Sequence, residues 1–255
     1  MNILASLSAR WRNYKVEHFD RFEGKALRQY KDIHRGRRCF IIGNGPSLTA
    51  KDLDTLAAHN EITFAFNRIY NIFPETHWRP TYYISQDEKM LAGCVAEVNR
   101  IQAQAKFIPI ELDWYYDIHL DHVTPFHVMN GNEANPDFST DISRLVYNSK
   151  TCVYTAIQFA YYMGIREIYL IGVDHHFHIS RNARGEIVVD PTAKDYFSEA
   201  YNQDKANLYI PNTDLSTLTF LSAKRHSDQL GFRIYNATRG GMLEVFERKE
   251  FDSLF

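Results

Sequence analysis

The chain has 255 residues, 45% hydrophobic and 14% aromatic, enough for one large core with at most one appended segment. Its formal net charge is −2, and no apolar run reaches the length of a membrane-spanning helix or forms the core of a secretory leader. Cys39, Cys94 and Cys152 lie far apart, without CxxC spacing, and read as reduced thiols in a cytoplasmic protein.

The charge is unevenly placed. Residues 1–38 carry ten Lys/Arg against four Asp/Glu, so the remainder must be acidic. A basic segment on an acidic body argues against a nucleic-acid protein, which spreads its positive charge over the fold. Within 1–35, Ile3, Leu7, Trp11, Tyr14, Phe19, Phe22, Leu27 and Tyr30 recur at roughly helical spacing and predict a helix. Residues 1–36 thus form a basic amphipathic segment with three candidate partners: an anionic lipid surface, the body of the domain, or another subunit of a homo-oligomer. Lipid contact would place the protein peripherally on a membrane surface.

Residues 37–255 read as a single nucleotide-binding domain. Cys39-Phe40-Ile41-Ile42 is a short apolar run typical of a buried parallel strand, followed by Gly43-Asn44-Gly45-Pro46-Ser47 and then a helical spacing of Leu48, Leu53 and Leu56. Strand, glycine turn and helix start are the parts of a phosphate or nucleotide cradle, in which glycines admit a ligand and free N–H groups favour negative charge. The motif is neither a Walker A loop nor a complete dinucleotide fingerprint, and a tight turn without a ligand is its plainer reading. Strands are predicted at 62–66, ending in Asn67; at 82–85, ending in Gln86 and Asp87; and at 106–110. Residues 88–105 read as helix, and 111–149, with Trp114 and three scattered histidines, show no clean period and read as loops or a lid.

Lys150 and Thr151 open a helix through Met163 that Gly164 ends. Residues 167–174 form a second strong strand with Gly172 and Asp174 at its tip. Residues 175–211 make a long polar excursion read as a lid with partial helix. Asn212 caps a helix through Leu230, Gly231 ends it, and a last strand at 232–236 leads to Arg239 in a glycine turn suited to a phosphate or carboxylate. The alternation predicts an α/β fold with a doubly wound, mostly parallel, Rossmann-like sheet. Four strand tips end in small or polar residues, and ligands of such sheets bind outside the carboxyl ends of the strands.

The run Asp174-His175-His176-Phe177-His178 invites a metal reading, but His176 and His178 share a face only on a strand, and the chain is expected to turn there. An imidazole acting as general base or steadying a leaving phosphate fits the residues better.

GNGPSL after a strand, a strand ending in Asn67, and SKTCVYTAIQFAYYMGIREIYLIGVD resemble the bacterial lipooligosaccharide sialyltransferases, and IPNTDLSTLTFL resembles the NTD-containing helix start of that family. The ending IYNATRGGMLEVF is similar to the domain shared by Maf flagellin glycosyltransferases and archaeal 6-hydroxymethylpterin diphosphokinase-like proteins. The resemblance covers residues 37–246 and implies transfer of an acidic sugar from a CMP donor, with inversion and without a metal or other cofactor. It also implies that Gly43, Asn44, Gly45, Ser47, Asn67 and Thr151 line the CMP site, with Gly172 and Asp174 at the ribose and phosphate end. Pro46, Gln86, Asp87, Lys150, Asn212 and Arg239 complete the expected nucleotide-binding set.

His176 stands about where the family has a tyrosine that stabilises the departing phosphate. The family's catalytic histidine, expected shortly before NTD, is absent; Tyr209 occupies that region. The catalytic candidates are therefore His176, His178, Tyr209 and Asp174, with the base left open among them. The expected acceptor is a glycan or glycolipid, as in lipopolysaccharide synthesis. Two other functions remain: an ATP- and Mg²⁺-dependent diphosphokinase, with Asp87 and Asp174 as candidate metal ligands, and a nucleotide-binding module without turnover.

Overall fold

The computed structural model describes residues 3–181, 184, 187–189, 194–198, 201 and 212–255. Its strands, in chain order, are β1 (Arg38–Ile42), β2 (Ile62–Phe66), β3 (Tyr82–Ile84), β4 (Ala105–Pro109), β5 (Val123–Phe126), β6 (Val128–Asn130), β7 (Val146–Asn148), β8 (Glu167–Ile171), β9 (Ile179–Arg181), β10 (Ile187–Val189), β11 (Arg233–Asn236) and β12 (Glu247–Arg248). The α-helices are α1 (Ile3–Glu17), α2 (Ala50–Ala58), α3 (Glu88–Ala92), α4 (Val95–Arg100), α5 (Ile110–Tyr116), α6 (Cys152–Tyr162) and α7 (Thr213–Leu230).

The main sheet has eight strands in the order β12-β11-β8-β1-β2-β3-β4-β5, and every neighbouring pair in it is parallel. From β1 the chain builds outward through β2, β3, β4 and β5, then crosses to the other side of β1 as β8. The order reverses between β1 and β8, which makes their carboxyl ends the switch point of the sheet.

Alternate residues of each central strand feed two separate cores. Cys39, Ile41, Phe64, Tyr82, Phe107 and Leu170 enter one, beneath α6 and α7; Phe40, Ile42, Ala65, Tyr83, Ile108 and Ile171 enter the other, beneath α2, α3 and α4. Burial on both faces explains why these strands read as continuous apolar runs rather than alternating ones. Helices on both faces and an all-parallel main sheet give the doubly wound α/β fold expected from the sequence.

The single helix expected over 1–35 is not formed. α1 ends at Glu17, and tight 3₁₀ turns at Phe19–Arg21 and Glu23–Tyr30 replace its continuation. The cause is packing: Phe19 and Leu27 are fully buried, and Gly24 lies so close to the Ser143 carbonyl that a Cβ there would sit 2.1 Å from its oxygen. Further on, Asp32 N donates to Tyr162 O (3.1 Å) and His34 N to Met163 O (2.8 Å), which ties the segment to the end of α6. No helix among the described residues is long and apolar enough to cross a membrane.

Three other differences have local causes. The helix expected over 88–105 is split into α3 and α4 around Gly93 and the buried Cys94, whose thiol donates to Met90 O. The strand expected to run to Asp174 stops at Ile171, because Gly172 takes φ +64°. Residues 111–149 hold α5, β5 and the parallel pair β6–β7. β5 is held by β4, and the stretch from Ser139 to Tyr147 is held by the side chain of Gln158, fully buried in α6: its Oε1 accepts from Ser139 N (2.9 Å) and Tyr147 N (3.0 Å), and its Nε2 donates to Tyr147 O (2.9 Å). In the excursion after Asp174, β9 and β10 form an antiparallel pair; the rest of the expected lid falls largely outside the described residues.

Two consequences are measurable. Phe159 of α6 is fully buried, with ring centroids of Phe107 and Phe126 at 4.7 and 5.2 Å, so Phe159→Ala should cost about 3–5 kcal/mol in a urea melt. His34 Nε2 lies 2.7 Å from the Tyr82 hydroxyl, and burial, then Arg37, holds its pKa below the ordinary 6.5. On acidification the unfolded chain takes up that proton before the folded one, so stability falls as pH drops below 6.5. His34→Gln keeps a donor for Tyr82 and should flatten this slope, leaving the part due to His175 and His226, which burial also holds down.

Candidate active site at the switch point

The site is built on a close approach between two loops. Gly43 N donates to Ile171 O and Gly45 N to Gly172 O, both at 2.8 Å, which zips the turn after β1 to the turn after β8. A Cβ on Gly43 would stand 2.2 Å from Gly172 O, and one on Gly45 would stand 1.9 Å from Asp174 Oδ2. Both positions require glycine because of the neighbouring loop. Ser47 N and Oγ then donate to the two oxygens of Asp174, at 3.3 and 2.7 Å. The N–H groups of Gly43, Gly45 and Ser47, which the sequence offers as a phosphate cradle, are thus satisfied by the chain itself. The first anion they hold is Asp174. The helix start also lies later than the glycine turn suggests, with Thr49 as N-cap of α2.

Above this junction opens a cleft of about 630 Å³. Of the expected residues, Gly43, Asn44, Gly45, Asn67, Gln86, Asp87, Lys150, Thr151, Gly172, Asp174, His176 and Asn212 line it. Asn44 is buried; its Nδ2 donates to Phe66 O (3.1 Å), and its buried Oδ1 has no hydrogen-bond partner. Asn67 adopts φ +56° and accepts from the Ser85 hydroxyl at 2.9 Å. Gln86 bridges Asn148 (2.8 Å) and Thr155 (2.6 Å). Asp87 accepts from Met90 N as cap of α3, and burial pushes its carboxyl up. Burial also raises the Asp174 carboxyl, with the Ser47 hydrogen bonds opposing it.

Two helices present their amino ends to this space. Thr151 caps α6, with Oγ1 accepting from Val153 N at 3.3 Å, and Asn212 caps α7, with Oδ1 accepting from Leu215 N at 2.9 Å. Both caps and their first turns line the cleft, so two positive helix ends meet there. Lys150 pairs with Glu133 at the rim.

Pro46 and Ser47 lie behind the lining, Ser47 through Asp174. Arg239 does not meet the site: its guanidinium reaches Asp252 (2.7 and 2.8 Å) and Asp52 (3.0 Å) over the Phe251 ring, and those carboxylates raise its pKa. Its cation is engaged at the surface by these two carboxylates, away from the cleft. Tyr209 lies outside the described residues. His178 is not in the lining itself, but its Nε2 is 3.0 Å from His176 Nε2.

Several lining residues were not in the expected site set, although His175 belongs to the histidine run and Tyr196 and Tyr201 to the excursion read as a lid. His175 sits at φ +57°, its Nε2 is 2.7 Å from Thr217 Oγ1, and burial lowers its pKa. Cys152 opens α6, and burial pushes its thiol up to about 12, which makes it a neutral wall. Tyr196 and Tyr201 stack at 3.9 Å and 8°, and the buried Asp195 precedes them. Only the density of aromatics in this excursion hinted at such a wall; nothing in its spacing singled out Asp195.

This arrangement defines a doubly wound α/β protein with its ligand cleft at the switch point of the sheet, floored by a glycine junction and faced by two helix amino ends. The chain belongs to the 6-hydroxymethylpterin diphosphokinase MptE-like family, whose sequence profile matches residues 13–180. No curated protein matches the chain by sequence. Among solved structures it is similar to a Maf glycosyltransferase from Magnetospirillum magneticum AMB-1, with 16% identity and a TM-score of 0.49 over 94% of this chain. The chain spans 39% of that protein's length. It is also similar to the sialyltransferase CstII from Campylobacter jejuni, solved in complex with a substrate analogue, cytidine-5'-monophosphate, at 15% identity and a TM-score of 0.45 over 84% of this chain and 85% of that one.

Ser47→Ala removes the 2.7 Å donor to Asp174 and should lower stability by about 1.5 kcal/mol, the low end for a hydrogen bond to a charged group because the pair is only part-buried. Ser47→Thr, which keeps the hydroxyl, should retain most of it; denaturant midpoints of the two variants compare them directly.

Proposed function

We propose that the protein is a glycosyltransferase that moves an acidic sugar (sialic acid, another nonulosonic acid or Kdo) from a CMP donor to a bacterial surface glycan such as lipopolysaccharide, with inversion and without a metal. The observation that carries this reading is the meeting of two helix amino ends, α6 and α7, across one cleft at the switch point. A CMP-linked acidic sugar carries two separate anionic groups, a phosphate and a carboxylate, and each helix end suits one. The unpartnered Asn44 Oδ1 supplies a buried acceptor for an amino or hydroxyl group of the nucleoside.

In this reaction an acceptor hydroxyl attacks the anomeric carbon on the face opposite the phosphate. The bond from that carbon to the phosphate oxygen breaks, and CMP leaves with the electron pair. The hydroxyl proton goes to His176, the described imidazole whose partner is a second histidine. Hydrogen bonds from helix-end N–H groups and from Lys150 offset the charge that grows on the departing phosphate. The basic residues of 1–36, with Trp11 and Tyr14 exposed, suit peripheral contact with the inner face of the membrane where such glycans are assembled.

The family description favours a second reading, an ATP- and Mg²⁺-dependent diphosphokinase acting on a hydroxymethyl pterin. Such a reaction asks for carboxylates converging on the metal. Asp87 caps α3 and Asp174 accepts from Ser47, so the chain itself already engages both carboxylates. The donor set therefore suits the first reading better.

A thermal-shift screen separates them. CMP at 100 times its Kd should stabilise the protein by about 2.7 kcal/mol, equally in EDTA and in Mg²⁺. A shift confined to ATP with Mg²⁺ would replace the transferase by the diphosphokinase.

A further inference from the structure

Three side chains behind the cleft form a continuous hydrogen-bonded line. Asp195 is 2% exposed, and its Oδ1 accepts from His178 N at 2.7 Å and lies 2.9 Å from His178 Nδ1. His178 Nε2 lies 3.0 Å from His176 Nε2, with the two rings perpendicular at 4.3 Å between centroids. His176 lines the cleft. The strip carrying Asp195 is anchored from the site itself, because Phe197 N donates to Asn44 O at 3.1 Å and Tyr196 packs on Phe177.

We infer that Asp195, His178 and His176 form a proton relay, in which His176 takes the acceptor's proton and Asp195 is the positioning residue that fixes the direction of transfer. A carboxylate oxygen only accepts, so the contact with Asp195 places the proton of neutral His178 on Nδ1 and leaves its Nε2 as an acceptor. His176 must then donate from Nε2, and its Nδ1 is the one ring nitrogen left to act as base. When an acceptor O–H bond breaks and an N–H bond forms at His176 Nδ1, the Nε2 proton of His176 passes to His178 Nε2. The positive charge comes to rest on His178, 2.9 Å from Asp195 Oδ1, away from the sugar. The second oxygen, Asp195 Oδ2, is buried with no hydrogen-bond partner, so among the described residues the carboxylate's hydrogen bonds are with His178 alone, and a charge arriving there meets that carboxylate directly.

The remaining titratable groups around the pair, Asp174, His175, Tyr196 and Asp214, are engaged elsewhere or belong to the cleft wall: Asp174 with Ser47, and His175 with Thr217. The use of the relay in sugar transfer rests on the function proposed above; the proton placement does not.

The test is therefore made first without substrate. Long-range ¹H–¹⁵N spectra of the full chain, with His176→Gln and His178→Gln to assign the rings, read the tautomers. The expected result is Nδ1–H for neutral His178 and Nε2–H for neutral His176. Asp195→Asn, whose amide can donate to Nδ1, should move the His178 proton to Nε2 and alter the titration of both rings. With CMP-sugar donors, Asp195→Asn should lower kcat by about 100-fold with little change in KM and displace the acid limb of the pH profile. An Nε2–H tautomer of His178 in the wild-type protein overturns the relay, even if Asp195→Asn fails to fold. So does stoichiometric zinc binding lost in His176→Gln, since two converging Nε2 atoms would then be ligands. Transfer that survives intact in His178→Gln overturns it while leaving the transferase reading standing. The expected tautomers without any transfer leave the proton placement standing and remove the transferase reading.

Discussion

The backbone contact between Gly43 and Gly172 is the constraint on which the site depends. Two turns, each following a central strand of the sheet, touch through paired N–H···O bonds with no room for a side chain between them. That contact sets the floor of the cleft, brings Ser47 under Asp174, and sends the chain after Asp174 over the site. The loops that leave this junction carry the histidines on one side, and Asn44 with its hold on Phe197 on the other.

The electrostatic design follows from that floor. A glycine turn at a strand end is usually read as a place where backbone N–H groups wait for a phosphate. Here several of them are already satisfied, by carbonyls and by Asp174. Attraction for an anion comes instead from the amino ends of α6 and α7. The acidic side chains nearby, Asp87 and Asp174, accept hydrogen bonds from Met90 N and from Ser47, and burial raises both carboxyls.

Much of this was legible in the sequence, for a physical reason. Strands buried on both faces leave long apolar runs, and Phe40, Phe64, Tyr83 and Leu170 announce them without any knowledge of their neighbours. Helix caps such as Thr151, Asn212 and Gly231 act locally and are equally readable. What could not be read are partnerships between distant segments. In sequence the glycines of 43–45 suggest room for a ligand or a plain tight turn; their close approach to Gly172 and Asp174 cannot be read there, because that loop lies more than a hundred residues away. Arg239 looked available because Asp52 and Asp252 give no sign in sequence that they converge on it. Residues 139–147 looked shapeless because Gln158, a single side chain on a later helix, holds both ends of that stretch.

That glutamine carries a further implication for how the protein can vary. It clamps Ser139 and Tyr147, while residues 131–135 between β6 and this clamp are exposed. The closure cost of a loop grows only slowly with its length, so this stretch can be lengthened or shortened while Asn148, held by Gln86 and Asn130, keeps its place at the rim; Lys150 changes with it, because its partner Glu133 lies in the stretch. Diversification at the mouth of the cleft is thereby uncoupled from the geometry of its floor.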